Sequence, residues 1–218
     1  MSPDMPKKSL KDHYIVQAWL VLILALAFGA SLAGVHLTLS ATIENNKINE
    51  TREKIPELVL GEALALKMAS QNQSLIVEPD NVEIEKKGKK SFYGVYRAIQ
   101  NDKLMGWVAK TNGQGYADKI ELLIGFDPSA EIITGLFVLE QKETPGLGNK
   151  IITPEWRRQF IKKLTSIDLV AAKRGAKAPN EIDAITGATI SSRAVCTIIN
   201  RAMNDLKKPL AKKASKDE

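Results

Sequence analysis

The longest apolar run of the sequence lies near its beginning. The residues from Tyr14 to Leu39 include no Asp, Glu, Lys or Arg. A helix needs roughly 20 apolar residues to cross the hydrocarbon core of a bilayer, and this run is longer. Tyr14 and Trp19 lie near its start, where interfacial aromatic residues are common. The pattern predicts a single transmembrane helix over residues 14–39, in contact with the lipid bilayer.

A cleaved signal peptide is the alternative for the same run. The apolar region of a secretory signal is typically about 7–15 residues long, which is shorter than this one. Ser31-Leu32-Ala33 nevertheless resembles a small-x-small cleavage site. We favour the anchor because the run is longer than a secretory apolar region. The small residues between Gly29 and Gly34 would let other membrane subunits pack closely against this helix.

The basic residues around the helix predict its orientation. They are Lys7, Lys8 and Lys11 before it and Lys47, Arg52 and Lys54 after it. The counts are nearly balanced, but the first group is closer to the helix, and a long C-terminal domain can translocate whatever its charge. We therefore expect a single-pass inner-membrane protein with residues 1–13 in the cytoplasm and the C-terminal domain in the periplasm, outside the cytoplasm.

A helical pattern follows the membrane segment and then changes to strands. Apolar spacing from Ala41 to Gln71 predicts a helical stalk, within a connecting region that covers residues 40–91 and ends in a strand edge and a turn. From Phe92 onward, short apolar runs bounded by turn residues predict strands. The runs are 92–96, 105–109, 120–125 and 132–139, with a Gly-rich loop expected at 111–116. The predicted fold class is α+β, with a mainly antiparallel sheet packed by helices.

Two helices are expected after the strands. Thr153 and Pro154 have the pattern of an N-cap and a first helical position, and that helix would run to about Leu164. Residues 167–170 are expected to form a short strand. The last helix has its apolar positions on one face, which calls for burial against the sheet. They are Val195, Ile198, Ile199, Ala202, Met203 and Leu206. The basic tail, residues 207–218, is expected to be disordered beyond Pro209.

Composition excludes several classes of function. The net charge of +6 would suit nucleic acid, but much of the excess lies at the two ends without interleaved aromatic residues. We therefore expect no nucleic-acid partner. Cys196 is the only cysteine, so neither an intrachain disulfide nor a metal site built from this chain's thiols can form. We expect no metal site, and we expect Cys196 to be a packing residue.

The stretch from Asp183 to Ser192 carries the candidate chemistry. Four hydroxyl residues surround Gly187 and Ala188 directly before the last helix. The free N–H groups and the dipole at a helix start suit an anion, and Thr189 would place a hydroxyl beside it. A simple capping turn is the alternative, which the residues alone favour because Thr and Ser are ordinary N-caps.

A second candidate segment runs from Glu143 to Gly148. Pro145 followed by Gly146 is typical of a type II turn, since proline fixes φ and glycine accepts a positive φ. From the residues alone, a tight turn after a strand is the simplest interpretation.

Both segments resemble motifs of one family. Thr186-Gly187-Ala188-Thr189, with Ser192 behind it, resembles the flavinylation motif of the FMN-binding domain family. That family includes the G subunit of the Rnf electron-transport complex and the C subunit of the Na⁺-translocating NADH:quinone reductase. Residues 143–148 resemble the ETPGLG loop of the same domains. The resemblance implies an FMN-binding domain over residues 92–206, with FMN joined to Thr189 through a phosphoester.

The resemblance also implies the rest of the site. Cofactor contacts are expected from both motifs: Glu143, Thr144, Gly146, Leu147, Gly148, Thr186, Gly187, Ala188 and Ser192. Asp183 and Lys150 are candidate supporting residues. The partners implied are the other membrane subunits of a complex and a flavin transferase that uses FAD. The sequence departs from the family pattern at Gln141, Asp118 and Ala130. These departures leave open the details of the turns and one polar contact with the flavin, but they do not affect the expected attachment.

The expected function is electron transport by a covalent flavoprotein within a redox-driven Na⁺ or H⁺ pump, that is, a translocase subunit with no other substrate chemistry. The length of the chain favours the Rnf subunit over the quinone-reductase subunit. A flavin-free sensory or adhesion module on a membrane anchor is one alternative. The FMN domain of a stand-alone extracytoplasmic reductase is another.

Overall fold

The protein is represented by a computed structural model that describes residues 14–86 and 88–215. The chain divides into two compact units, residues 1–49 and 50–218. Helix α1 spans Tyr14–Leu60 and includes all of the predicted transmembrane residues 14–39. Within the described ranges, it is the one helix long and apolar enough to cross a membrane. The predicted cytoplasmic residues 1–13 lie outside the described residues.

The surface of α1 in the first unit suits an apolar environment. Its large apolar side chains are exposed, and Phe28, for example, is 70% exposed. Its hydroxyl groups donate back to the helix, from Ser31 Oγ to Ala27 O at 2.8 Å and from Thr38 Oγ1 to Gly34 O at 3.0 Å. Because neither of these two hydroxyls needs water, the segment matches what a bilayer requires of a spanning helix.

The second unit begins with the end of α1. Helix α2 follows over Glu62–Ser70, so the helical region predicted for residues 41–71 is confirmed. The two helices are separated at Gly61, where φ is +81°. A residue other than glycine would be strained in this conformation, which accounts for the break.

The sheet of the second unit is a five-stranded antiparallel meander in the order β1-β2-β3-β4-β5. Its strands are Ile76–Lys86, Lys89–Gln100, Lys103–Gln114, Lys119–Phe126 and Ile133–Glu140. The predicted fold class is confirmed. The sheet begins earlier than the predicted first strand at Phe92, because β1 pairs with β2 along its whole length. The Gly-rich loop expected at 111–116 is shorter, since β3 continues to Gln114.

A helix covers each face of the sheet. Neighbouring residues of a strand point to opposite faces, and on β3 Trp107 packs in the same cluster as helix α4, Thr189–Ala214. Val108 packs on the other face with the end of α1. Gly135 is required there, because a Cβ atom on it would lie 2.8 Å from Leu58 O of α1. The sheet therefore has one hydrophobic cluster on each face, one beneath α4 and one beneath the end of α1.

Short elements connect β5 to α4. They are a 3₁₀ helix at Gly148–Ile152, α3 at Pro154–Arg157, a 3₁₀ turn at Arg158–Phe160, β6 at Val170–Ala172 and β7 at Glu181–Asp183. The prediction of a helix to Leu164 is wrong. The helical turns end at Phe160 because Lys162 N donates to Ile133 O at 2.8 Å and Ile133 N donates to Lys163 O at 2.9 Å. The predicted strand at 167–170 is displaced, since β6 begins at its last residue and pairs in parallel with β7.

Helix α4 confirms the predicted apolar face, because all six of its predicted core residues are buried. The tail expected to be disordered is instead helical over residues 207–214, and residues 216–218 lie outside the described part of the chain. Leu210 is fully buried, and Lys213 forms an ion pair with Asp80 on β1 and donates to Asn81 O at 3.1 Å. These contacts stabilise the helix beyond Pro209.

Candidate functional site

One cavity of about 490 Å³ brings the two sequence motifs together. Three segments form its wall: the loop before β4, the loop after β5 and the start of α4. The lining residues are Tyr116, Thr144, Leu147, Gly148, Gly187, Ala188, Thr189, Ile190 and Ser191. None of these side chains is acidic or basic, so the open end of α4 provides the main attraction for an anion here.

A tight turn leads into α4. Ala188 N donates to Ile185 O at 2.9 Å, and Gly187 occupies the third position of this turn with φ of +81°. A positive φ at that position is typical of a type II turn and is easiest for glycine. A Cβ atom on Gly187 would also lie 2.9 Å from Leu147 Cδ2 of the other motif. Glycine therefore allows both the turn and the close contact between the two loops.

The start of α4 is open towards the cavity. Thr189 is the first helical residue and is half-buried, and Ala188 stands at the N-cap position without a side-chain hydrogen bond to the helix. The first helical hydrogen bond runs from Ser192 N to Ala188 O, at 3.1 Å. The N–H groups of Thr189, Ile190 and Ser191 precede that bond and so lack helical acceptors. The interpretation of Thr189 as a capping residue is thus wrong.

Ser192 holds this turn from the inside. Its hydroxyl is fully buried, donates to Ala188 O at 3.0 Å and accepts from Ile185 N at 3.0 Å. Ser192 does not line the cavity. Its position in the motif is therefore explained by the geometry of the turn.

The loop after β5 contains the predicted type II turn. Leu147 N donates to Thr144 O at 3.2 Å, and Gly146 has φ of +76°. Thr144, Leu147 and Gly148 line the cavity, whereas Gly146 does not. The turn directs Leu147 towards the start of α4.

Glu143 lies behind the cavity wall, although a contact with the flavin is expected from the resemblance. It is 4% exposed, and its Oε2 accepts a hydrogen bond from Ser191 Oγ at 2.5 Å. Its Oε1 accepts from Ala117 N at 3.1 Å. The carboxylate thus joins the loops on which the cavity is built.

The remaining predicted residues lie at the margin of the site. Thr186 and Lys150 are exposed and do not line the cavity. Asp183 O accepts from Trp156 Nε1 at 2.8 Å, and the carboxylate of Asp183 accepts from Ala176 N. Asp183 therefore fixes the strand β7 that leads to the motif.

Three lining residues were missed by the sequence prediction: Tyr116, Ile190 and Ser191. Tyr116 is 62% exposed and follows Gly113 and Gly115. The sequence signal for this residue is an aromatic side chain at the end of a glycine-containing loop. Ile190 and Ser191 lie within the motif that includes Thr189, at positions for which the resemblance implies no contact with the cofactor.

Cys196 behaves as a packing residue, as expected. It is buried on α4, and burial raises the pKa of its thiol to about 12. A thiol with this pKa is almost entirely protonated at neutral pH and is a poor nucleophile.

A larger cavity, of about 650 Å³, lies between the end of α1, α2 and the start of β1. It is lined by residues between Arg52 and Val77, none of which belongs to either motif. The smaller cavity is the better candidate because it combines an open helix start with two glycine-containing loops.

Comparison with known proteins identifies the family. The model of the FMN-binding domain family matches residues 115–204. The G subunit of the Na⁺-translocating ferredoxin:NAD⁺ oxidoreductase complex of Acetobacterium woodii is 29% identical over 190 residues, covering 84% of this chain and 87% of the relative. The G subunit of the ion-translocating oxidoreductase complex of Pasteurella multocida is 30% identical over 188 residues, covering 85% and 89%. The chain belongs to this G-subunit family.

Solved structures confirm the fold of this member of the G-subunit family. The crystal structure of Shewanella oneidensis NqrC superposes with a TM-score of 0.61 at 18% identity, covering 79% of this chain and 99% of that one. The C subunit of the Na⁺-translocating NADH-quinone reductase from Parabacteroides distasonis gives a TM-score of 0.59 at 22% identity, covering 79% and 96%. The family match and the relatives confirm the resemblance of the chain to the FMN-binding domain family, and these two structures confirm its fold.

The matched FMN-binding segment contains the whole cavity wall, from Tyr116 to Ser191. The cavity volume lies within the range of about 300–1,000 Å³ that is usual for small-molecule sites. Leu147, Ile190 and Tyr116 offer apolar surface to an aromatic ring, and the open N–H groups of α4 offer donors to a phosphate. The residues present therefore fit FMN.

Proposed function

We propose that this chain is the membrane-anchored, electron-carrying flavin subunit of an ion-translocating oxidoreductase complex, and that its FMN is joined to Thr189 by a phosphoester. The observation that carries the attachment is the position of Thr189: it is the first residue of α4 and lies in the wall of the cavity. A phosphate on its Oγ1 would lie beside the open N–H groups of the same helix turn.

FMN supplies the ability to accept and release electrons one or two at a time. The chain's own residues bind and orient it. The open end of α4 holds the phosphate, and Leu147 and Tyr116 shield one part of the cavity from water. The phosphoester keeps the cofactor in place where free flavin would diffuse away.

A separate transferase is needed to form the bond. The Thr189 hydroxyl is a weak nucleophile, and both histidines of the chain, at positions 13 and 36, lie far from it in the sequence. With FAD as donor, a bond forms between Thr189 Oγ1 and the phosphorus on the riboflavin side. The bond from that phosphorus to the AMP phosphate breaks, AMP leaves, and the hydroxyl proton passes to a base of the transferase.

The anchor places the domain in a membrane complex. We propose that α1 crosses the membrane with the N-terminus in the cytoplasm and the FMN-binding domain in the periplasm. Residues 14–39 contain no carboxylate, so we do not expect this helix to supply the path of the coupling ion, Na⁺ or H⁺. The support for these partners is that the relatives are named as subunits of such complexes.

Intact mass of the chain from membranes that contain the transferase tests the proposal. We expect a gain of FMN minus one water and a fluorescent band on a denaturing gel. Thr189→Ala should abolish both. Thr186→Ala is the matched control, because Thr186 belongs to the same motif but does not line the cavity, and it should keep the modification. An unmodified wild-type mass would refute the flavin attachment and favour a flavin-free module.

A further inference from the structure

The buried carboxylate of Glu143 is unusual because it lies on the motif loop but does not line the cavity. Glutamate is rarely this buried unless it is paired, since burial of a charge without partners is unfavourable. Both oxygens have donors here: Ser191 Oγ on one side and Ala117 N on the other. The two partners belong to two different walls of the cavity, and Glu143 itself belongs to the loop of the third.

Two glycines make room for this carboxylate. A Cβ atom on Gly148 would lie 3.0 Å from Glu143 Oε2 and 2.8 Å from Ser191 Oγ. A Cβ atom on Gly115 would collide with Glu143 Oε1. The chain thus packs backbone from both loops directly against the carboxylate, which leaves little freedom for it to move.

We propose that Glu143 is a positioning residue that sets the first turn of α4, and thereby the Thr189 hydroxyl, in register with the two loops that complete the cavity. This inference rests on the proposed attachment of FMN to Thr189. Ser191 lies two residues after Thr189 within the same helical turn, so a fixed Ser191 side chain fixes the rotation of that turn. Because its oxygens bond Ser191 Oγ and Ala117 N, Glu143 leaves the N–H groups of Thr189 and Ile190 to the phosphate.

The physical reason for a carboxylate at this place is its strength as an acceptor. Hydrogen bonds to an ionised group are about twice as strong as neutral ones. A negative charge near the start of a helix is also favoured by the helix dipole. A neutral amide of the same shape would keep the volume but lose both contributions.

The first test is the rate at which a purified FAD-dependent flavin transferase modifies the full-length, flavin-free chain. We expect Glu143→Gln and Ser191→Ala to lower the maximal rate about tenfold or more, as a small displacement of a reacting group does, with an unchanged KM for FAD. Ser191→Thr restores a hydroxyl donor and should recover most of the rate. The double variant should be no slower than the slower single one, since the two residues act through one contact.

Tyr93→Phe is the matched control. It also removes a hydroxyl-to-carboxylate hydrogen bond onto α4, from Tyr93 to Asp205 Oδ2 at 2.7 Å, but far from the cavity. It should leave the rate at the wild-type value. Wild-type rates in both Glu143→Gln and Ser191→Ala would overturn the proposal, and so would an equal loss of rate in Tyr93→Phe.

Amide hydrogen exchange in the flavin-free chain separates this inference from the proposed function. The Ser192 amide, which bonds Ala188 O, should exchange about tenfold faster in Glu143→Gln and at the wild-type rate in Tyr93→Phe. Unchanged exchange at Ser192 would overturn the positioning role even if Thr189 carries FMN. Faster exchange in a chain that never acquires flavin would support the positioning of the turn and refute only the attachment.

Discussion

Gly187 and Leu147 are in such close contact that a Cβ atom on Gly187 would lie 2.9 Å from Leu147 Cδ2. Gly187→Ala should therefore destabilise the protein in two ways, through a strained positive φ and through this collision. We expect a loss of about 1–3 kcal/mol of unfolding free energy and reduced flavin incorporation. Denaturant unfolding in detergent, followed by the fluorescence of Trp107 and Trp156, measures the first effect.

Gly146→Ala is the control for the backbone contribution. Gly146 has φ of +76°, close to that of Gly187, but a Cβ atom on it would meet no atom within 4 Å. It should cost about 1 kcal/mol, the strain of the positive φ alone. Adding Leu147→Ala to Gly187→Ala should restore part of the lost unfolding free energy, because the shorter side chain removes the collision. Equal losses in both glycine variants would show that the contact between the motifs is unimportant.

The outer wall of the cavity gives a second prediction. Tyr116→Ala removes an exposed aromatic ring from the cavity lining. If the proposed flavin packs on this ring, we expect the loss of an aromatic contact of about 0.5–1.5 kcal/mol. The flavin of the modified chain should then be quenched more strongly by iodide, because more of it is open to water. Tyr116→Phe keeps the ring and should behave like wild type. Equal quenching in Tyr116→Ala and wild type would mean that the ring does not cover the flavin.

The sequence predicts the strands and the two motif turns well because those features are local. Short apolar runs bounded by turn residues predict β3 to β5, and Pro145-Gly146 is sufficient to predict the turn that the structure contains. The long apolar run likewise predicts α1. The family resemblance then adds the cofactor, which no local pattern could specify.

The features that could not be predicted depend on contacts between distant residues. Glu143 and Ser191 are 48 positions apart, so nothing near Glu143 indicates that its carboxylate is buried against Ser191 instead of lining the cavity. A helix was predicted to continue to Leu164, but the helical turns end at Phe160 because Lys162 N donates a hydrogen bond to Ile133 O. Pairing with β5 there overrides the local helical pattern.

The helical C-terminus is a third such case and gives a third prediction. Leu210 is fully buried, so Leu210→Ala should lower the free energy of unfolding by about 2–5 kcal/mol. A disordered tail would predict no change. Lys208→Ala is the control, since Lys208 is exposed on the same turn and should change stability by less than about 0.5 kcal/mol. Denaturant unfolding of both variants in detergent, with tryptophan fluorescence, separates the two outcomes.

Tyr93 gives a prediction about pH. Burial, followed by the hydrogen bond to Asp205, raises the pKa of Tyr93 from 10.0 to about 12. Between these values the folded protein retains a proton that the unfolded chain loses, so the stability provided by Tyr93 is complete below pH 10 and is lost as pH rises towards 12. Tyr93→Phe should therefore be less stable than wild type below pH 10, by about 1 kcal/mol for the missing hydrogen bond. The difference should shrink as pH approaches 12, because the wild-type protein then loses its own contribution from this residue. Denaturant unfolding of both proteins at several pH values measures the difference, and a constant gap from about pH 9 to 12 would contradict the role assigned to the Tyr93 hydroxyl.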